Sequence, residues 1–286
     1  MDIYIAKGAG FCFGVKRAVN IAFRTAERSA KRVATLGPII HNPQVVEKLR
    51  QAGVRPLNKV SDDVDILIVR THGIPSDIYK GLTDGRFELI DATCPFVKKA
   101  QQYAKLLREE GYQVLILGDK DHPEVKGILS YAGESAIVVR DADEMPILNS
   151  RVGVVVQTTQ PVEALKKLLD KVIKTVKEVK VYNTICNSTA LRLRETGDMT
   201  RKVDLMLVVG GKNSANTKQL VTLCNDSGVK TYHVETAGDL CPEWFDGVEK
   251  IGITAGASTP DWIINDIVKK IEAIGELACT SKGRES

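Results

Sequence analysis

The 286-residue chain is 43% hydrophobic and 27% charged, which is ordinary for a globular protein and enough to bury a sizeable core. Its 40 basic and 36 acidic residues leave a net charge of +4, which is too small to favour nucleic acid as a partner but is compatible with a small anionic ligand. No apolar run reaches the roughly 18 residues of a membrane span, and the N-terminus lacks the basic segment of a secretory signal. We therefore expect a cytoplasmic protein with no membrane partner, in which six cysteines indicate thiol, metal or redox chemistry and not structural disulfides.

Short β-rich runs alternate with helical stretches along the chain. Runs that are almost continuously Val, Ile and Leu are typical of parallel strands covered on both faces, and the alternation predicts an α/β fold. In chain order the predicted strands lie within IYI, RVATLG, VDILIVR, FELIDATC, YQVLILG, AIVVR, RVGVVVQ, VKVYNTIC, DLMLVVGG and KIGITAG.

Three of the six cysteines, Cys12, Cys94 and Cys186, stand where a strand gives way to a helical stretch. Pro95 suits the first turn of such a helix, where its missing N–H is not needed. The strand that follows each helix stops at a glycine 24 or 25 residues beyond the cysteine, namely Gly37, Gly118 and Gly210. The three cysteines therefore occupy corresponding positions in a repeat.

Two kinds of polar loop recur in the same repeat. The first kind opens a helix and reads HNPQ, DHPE and NSAN; the second follows another strand and reads RTHGIP, VQTTQP and TAGASTP, each time ending in proline. Between the two loops each helix ends near a glycine, at Gly53, Gly133 and Gly228. Each repeat thus supplies one cysteine corner and two polar loops.

The repeat has a period of about 80 to 90 residues and occurs three times. We predict three similar α/β units, at residues 1–94, 95–185 and 186–279, in a pseudo-threefold trefoil, followed by a polar tail at residues 280–286. Ligands of parallel sheets bind outside the carboxyl ends of the strands. The three cysteines and the six polar loops are therefore predicted to face one central point.

A single cysteine in a cytoplasmic protein is most often a small buried hydrophobic residue. We expect this of Cys224, Cys241 and Cys279, which do not follow the repeat. Three thiolates from equivalent corners would instead form a threefold-symmetric site. A [4Fe–4S] cluster suits that symmetry, because three irons take cysteine and the fourth stays open as a Lewis acid. The wide spacing of the cysteines fits neither a zinc knuckle nor a local ferredoxin motif.

The chain has four histidines, and three of them lie in the repeated loops. His233 lies in a strand-like run, and we expect it to be structural. The loops also contain neutral donors near predicted helix N-termini, which is the chemistry of a phosphate cradle. The predicted cradle contains His41, His72, His122, Thr158, Thr159, Ser214, Asn216 and Ser258.

Glu124 follows His122 by two residues in DHPEVKG. A glutamate in the first turn of a helix commonly only compensates the helix dipole. It is also the carboxylate of these loops that is best placed to transfer protons in a pocket otherwise rich in neutral donors. The neighbouring Asp121 is an alternative, and it could instead cap the helix.

These segments together resemble the 4-hydroxy-3-methylbut-2-enyl diphosphate reductase family, whose reaction is the last step of the methylerythritol phosphate route to isoprenoids. The resemblance covers residues 3 to about 271 and includes several long, specific motifs. They read AKGAGFCFGVKRAV, THGIP, DATCPFV, GDKDHPEVKG, QTTQ, TICNST, GGKNSANTKQL and TAGASTPDWII.

The resemblance implies three α/β domains around a [4Fe–4S] cluster, one per subunit, with Cys12, Cys94 and Cys186 as ligands and one open iron that binds the substrate hydroxyl. It implies that Thr158 contacts the substrate near that hydroxyl and that Glu124, with His122, serves proton delivery. The expected products are isopentenyl and dimethylallyl diphosphates, and the electrons come singly from an external ferredoxin or flavodoxin. The expected substrate contacts are His41, His72, His122, Thr158, Thr159, Ser188, Ser214, Asn216 and Ser258.

Two positions depart from the usual pattern of that family. Ala215 stands where a second serine is common, so one phosphate donor is expected to be missing. Leu193 stands where a glutamine often follows the arginine. Neither position is an expected cluster ligand, so the predicted reaction is unaffected. We also expect a monomer, because the three domains already provide the internal symmetry.

Two other classes of protein are alternatives for this sequence. Gly8 and Gly10 after the first strand favour a dinucleotide-binding oxidoreductase, but Phe13 stands where the fingerprint needs a third small residue, and RVATLG lacks the acid that would bind a ribose. A non-enzymatic binding protein or a zinc-bound structural trefoil is the other alternative. A colourless protein with stoichiometric zinc would favour the last, and a brown anaerobic preparation would favour the cluster.

Overall fold

The computed structural model describes residues 1–60, 63–83 and 85–282. In these ranges the strands are β1 Asp2–Ile5, β2 Val33–Leu36, β3 Val54–Leu57, β4 Ile66–Val69, β5 Glu88–Asp91, β6 Gln113–Leu117, β7 Ile137–Val139, β8 Arg151–Val156, β9 Glu178–Val181, β10 Leu205–Val209, β11 Lys230–Val234 and β12 Lys250–Ala255. The α-helices are α1 Phe13–Arg28, α2 Pro43–Gln51, α3 Ser76–Gly81, α4 Pro95–Glu109, α5 Pro123–Ala132, α6 Val162–Val172, α7 Asn187–Thr200, α8 Ala215–Asp226 and α9 Asp261–Lys282. Short 3-10 helices lie at Ala142–Glu144, Ala237–Asp239 and Pro242–Phe245.

The strands form three four-stranded sheets, and every strand pair is parallel. The strand orders are β5-β4-β2-β3, β9-β8-β6-β7 and β1-β12-β10-β11. In each sheet the strand that leads to a cysteine is at one edge, and the strand that ends at the repeat glycine is inside. The predicted α/β class with three similar parallel-sheet units is therefore confirmed.

The N-terminal strand does not lie in the sheet of the residues that follow it. β1 pairs in register with β12, from Asp2 opposite Lys250 to Ile5 opposite Ile253. The strand before Cys12 thus completes the sheet formed by the C-terminal part of the chain, and the other strands of residues 1–94 form the sheet β3-β2-β4-β5. The predicted unit at residues 1–94 therefore includes one strand, β1, whose sheet partner lies outside that unit.

Two observed strands are absent from the predicted set: β11, which was noted only as a strand-like run around His233, and β3. The sequence of β3, VRPL, contains Pro56, which cannot donate to a sheet, and the strand lies at the edge of its sheet beside β2 alone. Proline is tolerated in edge strands because one side of such a strand has no partner.

The chain divides into two compact units, which are described separately. Unit one comprises Met1–Cys12, His41–Val45 and the residues from Leu191 onward, and it contains the sheet β1-β12-β10-β11. Unit two comprises Phe13–Ile40 and Val46–Ala190, and it contains the other two sheets.

The cores of both units are built from the predicted strands. All residues of β4 and β10 are buried, as are all residues of β8 and β12 after the first. These strands are the Val, Ile and Leu runs, so burial on both faces explains why the runs do not alternate with polar residues.

Helix α9 closes the described chain. It runs for 22 residues to Lys282, so the first three residues of the predicted polar tail are helical and residues 283–286 lie outside the described residues. The side chain of Cys279 is likewise outside the description. Among the helices of the described ranges, none combines the length and the apolar character that crossing a membrane would need.

Candidate active site

The three repeat cysteines share one backbone arrangement. Each is followed by a helix, and each donates its backbone N–H to a carbonyl of the proline-ending loop after the neighbouring strand. The N···O distances are 3.2 Å from Cys12 to Ala257, 3.0 Å from Cys94 to Thr71 and 2.9 Å from Cys186 to Thr158. The bonds of Cys94 and Cys186 keep the register of their edge strands, whereas Cys12 is separated from β1 by the glycine loop; all three cysteines lie beyond the carboxyl end of an edge strand.

In unit two the start of α1 packs directly on the Cys94 thiol. A Cβ atom added to Gly14 would lie 2.5 Å from the Sγ of Cys94 and 3.2 Å from its Cβ. Only glycine allows this close approach, because any side chain would push the thiol away. Gly14 therefore makes room for the thiol of Cys94.

The Cys186 thiol lies beside Ser188. Their Sγ and Oγ atoms are 3.1 Å apart, and both residues are half-buried. Ser188 therefore contacts a thiol at its own corner, and its contact with a substrate stays a prediction.

In unit one, two residues of α7 hold the glycine loop that leads to Cys12. The Arg192 guanidinium is 3% exposed and donates to the carbonyls of Gly8, Gly10 and Ala255, the last two at 3.1 and 2.7 Å. The Glu195 carboxylate accepts the backbone N–H groups of Lys7 and Gly8 at 2.5 and 2.7 Å. We call Arg192 and Glu195 the loop clamp.

The loop clamp also contradicts the interpretation of the first glycine-rich segment as a dinucleotide-binding loop. A glycine-rich loop binds a pyrophosphate through its backbone N–H groups. Here the carboxylate of Glu195 already accepts the N–H groups of Lys7 and Gly8, where a phosphate would have to lie. Neither clamp residue was predicted. The sequence signal that could have identified them is an arginine and a glutamate three positions apart on one predicted helix.

Glu124 is 2% exposed, in the first turn of α5. Its Oε1 atom accepts the backbone N–H of Thr158 at 2.6 Å, and its Oε2 atom lies 2.9 Å from the Thr158 hydroxyl oxygen. Burial raises the pKa of Glu124 to about 7, although the two bonds with Thr158 lower it. The pair can therefore hold or release a proton near neutral pH.

The N-cap of α5 is His122 and not Asp121. Its Nδ1 atom accepts the backbone N–H of Glu124 at 3.2 Å, whereas Asp121 is exposed. The alternative in which Asp121 caps this helix is therefore wrong. Because Nδ1 is an acceptor, the neutral ring carries its proton on Nε2, which makes that atom a donor.

His72 and His122 come together in unit two. Their ring centroids are 5.3 Å apart and their planes are nearly perpendicular. Thr159, one residue beyond Thr158, has a buried hydroxyl with no partner among the described residues. The predicted donors of this unit therefore gather at the carboxyl ends of its sheets.

Unit one brings together the remaining predicted donors. Ser214 is the N-cap of α8 and accepts the N–H of Thr217 at 3.3 Å, while the Ser258 hydroxyl lies 3.4 Å from the carbonyl of His41. Asn216, also buried, accepts the N–H of Ala257 through Oδ1 at 3.0 Å. Its amide nitrogen Nδ2 is buried and, within the described part of the chain, has no hydrogen-bond partner.

The remaining cysteines and histidine lie elsewhere. Cys224 is fully buried beside Met206 and Leu220, and burial raises its pKa to about 12, so it is an inert core residue. Cys241 is exposed next to a 3-10 helix, so the expectation that it is a buried hydrophobic residue is wrong. His233 Nε2 lies 2.8 Å from the carbonyl of Gly210.

Comparisons with known proteins match almost the whole chain. The family described as LytB protein matches residues 3–272. A Pelobacter propionicus protein named 4-hydroxy-3-methylbut-2-enyl diphosphate reductase is 49% identical over 280 residues, which cover 96% of this chain and 99% of the relative. A Geobacter sulfurreducens protein of the same name is 47% identical over 275 residues, covering 95% and 97% of the two chains.

Two solved structures are also similar. One is described as (E)-4-hydroxy-3-methyl-but-2-enyl diphosphate reductase, the terminal enzyme of the non-mevalonate pathway. It is 44% identical with a TM-score of 0.72 and covers 96% of this chain and 100% of its own. The other, E-1-hydroxy-2-methyl-but-2-enyl-4-diphosphate reductase from Plasmodium falciparum, is 28% identical with a TM-score of 0.87 and covers 94% and 87%.

Proposed function

Because the chain belongs to the LytB protein family, we propose that it reduces 4-hydroxy-3-methylbut-2-enyl diphosphate by removing its hydroxyl group. The substrate takes up two electrons and two protons, the C–O bond breaks and water leaves. The products are isopentenyl and dimethylallyl diphosphates. The structural observation that supports this function most strongly is the same cysteine corner in all three sheets.

Membership of the family implies an iron–sulfur cofactor. We assign to it a [4Fe–4S] cluster, with Cys12, Cys94 and Cys186 as its proposed ligands. The donor set fits, since all three are half-buried thiols at strand ends, and Gly14 leaves room for the Cys94 Sγ atom itself. When bound, the cluster supplies single electrons and, at its open iron, a Lewis acid for the substrate hydroxyl.

The diphosphate is assigned to neutral donors at helix N-termini. In unit one, the buried Nδ2 atom of Asn216 needs an acceptor, and Ser214 and Ser258 add hydroxyl donors beside His41. In unit two the donors are His72, His122, Thr158, Thr159 and Ser188. Fixing the anionic end of the substrate in this way orients its carbon chain, which provides the positioning part of catalysis.

Proton delivery is assigned to Glu124 and Thr158. In its protonated form, Glu124 can donate through Oε2 to the Thr158 hydroxyl, which can pass its own proton to the departing oxygen. Near-neutral titration of Glu124 suits this task, because the group is protonated before the reaction and can recover a proton afterwards. Protonation matters because hydroxide is a poor leaving group.

The electrons are proposed to come from an external ferredoxin or flavodoxin, one at a time. We further propose that the enzyme works as a monomer in the cytoplasm and has no nucleic-acid partner.

The test is anaerobic purification followed by iron, sulfide and zinc analysis and a reductase assay with reduced methyl viologen. We expect a brown protein with about four irons per chain that forms both products. A colourless protein with stoichiometric zinc and no reductase activity would contradict the proposal.

A further inference from the structure

Two exposed phenylalanines of unit two lie at the starts of helices α1 and α4. Phe13, the first residue of α1, is 67% exposed, and Phe96, the second residue of α4, is 40% exposed. Single exposed apolar residues are common on protein surfaces and need no explanation. Here, however, both stand at the start of a helix that directly follows a proposed cluster ligand.

Both phenylalanines are close in the chain to the contact between Gly14 and the Cys94 thiol. Because Gly14 packs against the Sγ of Cys94, the starts of α1 and α4 touch. Phe13 is the chain neighbour of Gly14, and Phe96 is two residues beyond Cys94. Two exposed phenylalanines therefore lie within two residues of the contact between Gly14 and the half-buried Cys94 thiol.

The same surface is positively charged. Lys16 and Lys99 are exposed, and neither α1 nor α4 has an acidic residue in its first turn. The nearby Asp91 carboxylate is 2.6 Å from Lys98 Nζ, so its charge is balanced. Two helix N-termini add partial positive charge. We call Phe13, Lys16, Phe96 and Lys99 the phenylalanine face.

A further cation, Arg17, connects α1 to the segment before Cys94. Arg17 on α1 donates to the backbone carbonyls of Thr93 and Asp91, at 3.3 and 3.4 Å, just before Cys94. The start of α1 is thus connected to the Cys94 segment by the Arg17 side chain and by the close approach of Gly14, and not by the exposed side chains. Removing the exposed side chains is therefore expected to leave the corner intact.

We propose that the phenylalanine face is the docking site of a small acidic protein that carries one electron at a time. Aromatic anchors within a cationic rim are typical of interfaces that must form and dissociate quickly, and complementary charge accelerates the encounter. The small diphosphate substrate has no need of exposed phenyl rings. This inference rests on the proposed function, since it takes Cys94 as a cluster ligand.

The electron balance requires the face to be used twice. A fully reduced flavodoxin gives up one electron per encounter and leaves as the semiquinone, so each substrate molecule reduced consumes two encounters. A weak, fast interface suits that cycle because the oxidised donor must leave before the next one binds.

The test uses the holoenzyme and two electron sources, an acidic reduced flavodoxin and methyl viologen. The variants are Lys16→Glu/Lys99→Glu, which reverses the charge, and Phe13→Ser/Phe96→Ser, which removes the anchors. The matched control is Lys105→Glu/Lys167→Glu, which makes the same change in net charge at exposed sites away from both helix starts. A [2Fe–2S] ferredoxin serves as a second protein donor.

We expect both face variants to lower kcat/KM for flavodoxin by about tenfold or more at low salt, and charge reversal to weaken the salt dependence of the reaction. Methyl viologen should support wild-type turnover in every variant, with unchanged iron content, because a small dye needs no docking surface. Salt-dependent binding of oxidised flavodoxin, measured by calorimetry, should fall in the face variants and not in the control.

The outcomes separate this inference from the proposed function. The docking site would be overturned if the kinetics and binding of flavodoxin stayed within twofold of wild type in both face variants. It would also be overturned if neither flavodoxin nor ferredoxin supported turnover of the wild-type enzyme. Loss of turnover with methyl viologen in the wild-type protein would instead contradict the function itself.

Discussion

Glu124 and Asn216 occupy the same position in two different repeats. Each lies in the first turn of a helix, two residues after the N-cap, and each accepts the backbone N–H of a loop residue, Thr158 in one case and Ala257 in the other. That loop residue in turn accepts, through its carbonyl, the N–H of a cysteine at a strand end. The two side chains thus perform one structural task on two copies of the same scaffold.

They differ in what the second polar atom of the side chain does. The other oxygen of Glu124 contacts the Thr158 hydroxyl, and burial lets the carboxyl group titrate near neutrality. The nitrogen of Asn216 is a buried donor with no partner among the described residues. One corner is therefore equipped to move a proton and the other to hold an anion, although the backbone around them is the same.

The largest effect is expected for Glu124→Gln. The amide oxygen can still accept the Thr158 N–H, but the side chain can no longer give up a proton. We expect kcat with methyl viologen to fall by about 10²- to 10⁴-fold, with unchanged iron content and a KM close to that of the wild type. Glu134→Gln, at an exposed site just beyond α5, is the control and should be fully active. Wild-type turnover of Glu124→Gln would show that protons come from another group.

The buried carboxyl group also predicts how stability changes with pH. The pKa of Glu124 is about 7 in the folded protein against an ordinary 4.5, so between those values the unfolded chain binds fewer protons than the folded one. Stability is therefore expected to fall as pH rises from 4.5 to 7, by about 3 kcal/mol from this group. Urea unfolding of anaerobic protein at pH 5 and pH 8 should give a smaller difference for Glu124→Gln than for the wild type. Equal differences would mean that Glu124 is not protonated when buried.

Much of this comparison could be predicted from sequence because it is repeated. Cys12, Cys94 and Cys186 recur at matched distances from glycines, and a pattern that occurs three times identifies equivalent corners without any contact being known. The Val, Ile and Leu runs likewise predicted parallel strands, since both faces of such strands are buried.

Features that depend on contacts between distant segments could not be predicted in that way. The loop clamp joins Glu195 to Lys7, which is 188 positions away, and β1 joins a sheet whose other strands begin at residue 205. The N-cap of α5 was also ambiguous, because Asp121 is the commoner capping residue and only the geometry identifies His122.

A smaller effect is expected for Asn216→Asp, which makes the anion-holding corner resemble the proton-moving one. The side chain keeps an oxygen for the Ala257 N–H but replaces a donor by an acceptor. We expect KM for the diphosphate to rise by about 10- to 100-fold and kcat to change much less. Asn225→Asp, at the exposed end of the same helix, makes the same charge change and should not affect KM. An unchanged KM in Asn216→Asp would remove this residue from the diphosphate site.

The smallest effect is expected at the Cys12 corner, whose glycine loop is held by the clamp. Glu195→Gln leaves one oxygen for two N–H groups and turns an amide donor toward one of them. Because hydrogen bonds to a charged group are the stronger kind, we expect unfolding to require about 1 to 2 kcal/mol less free energy, and iron to be lost faster to a chelator. Arg194→Gln, at an exposed neighbouring site on α7, is the control. If the two variants release iron at the same rate, the clamp contributes to folding of the loop without positioning Cys12, and the corner would then depend on its backbone bond to Ala257 alone.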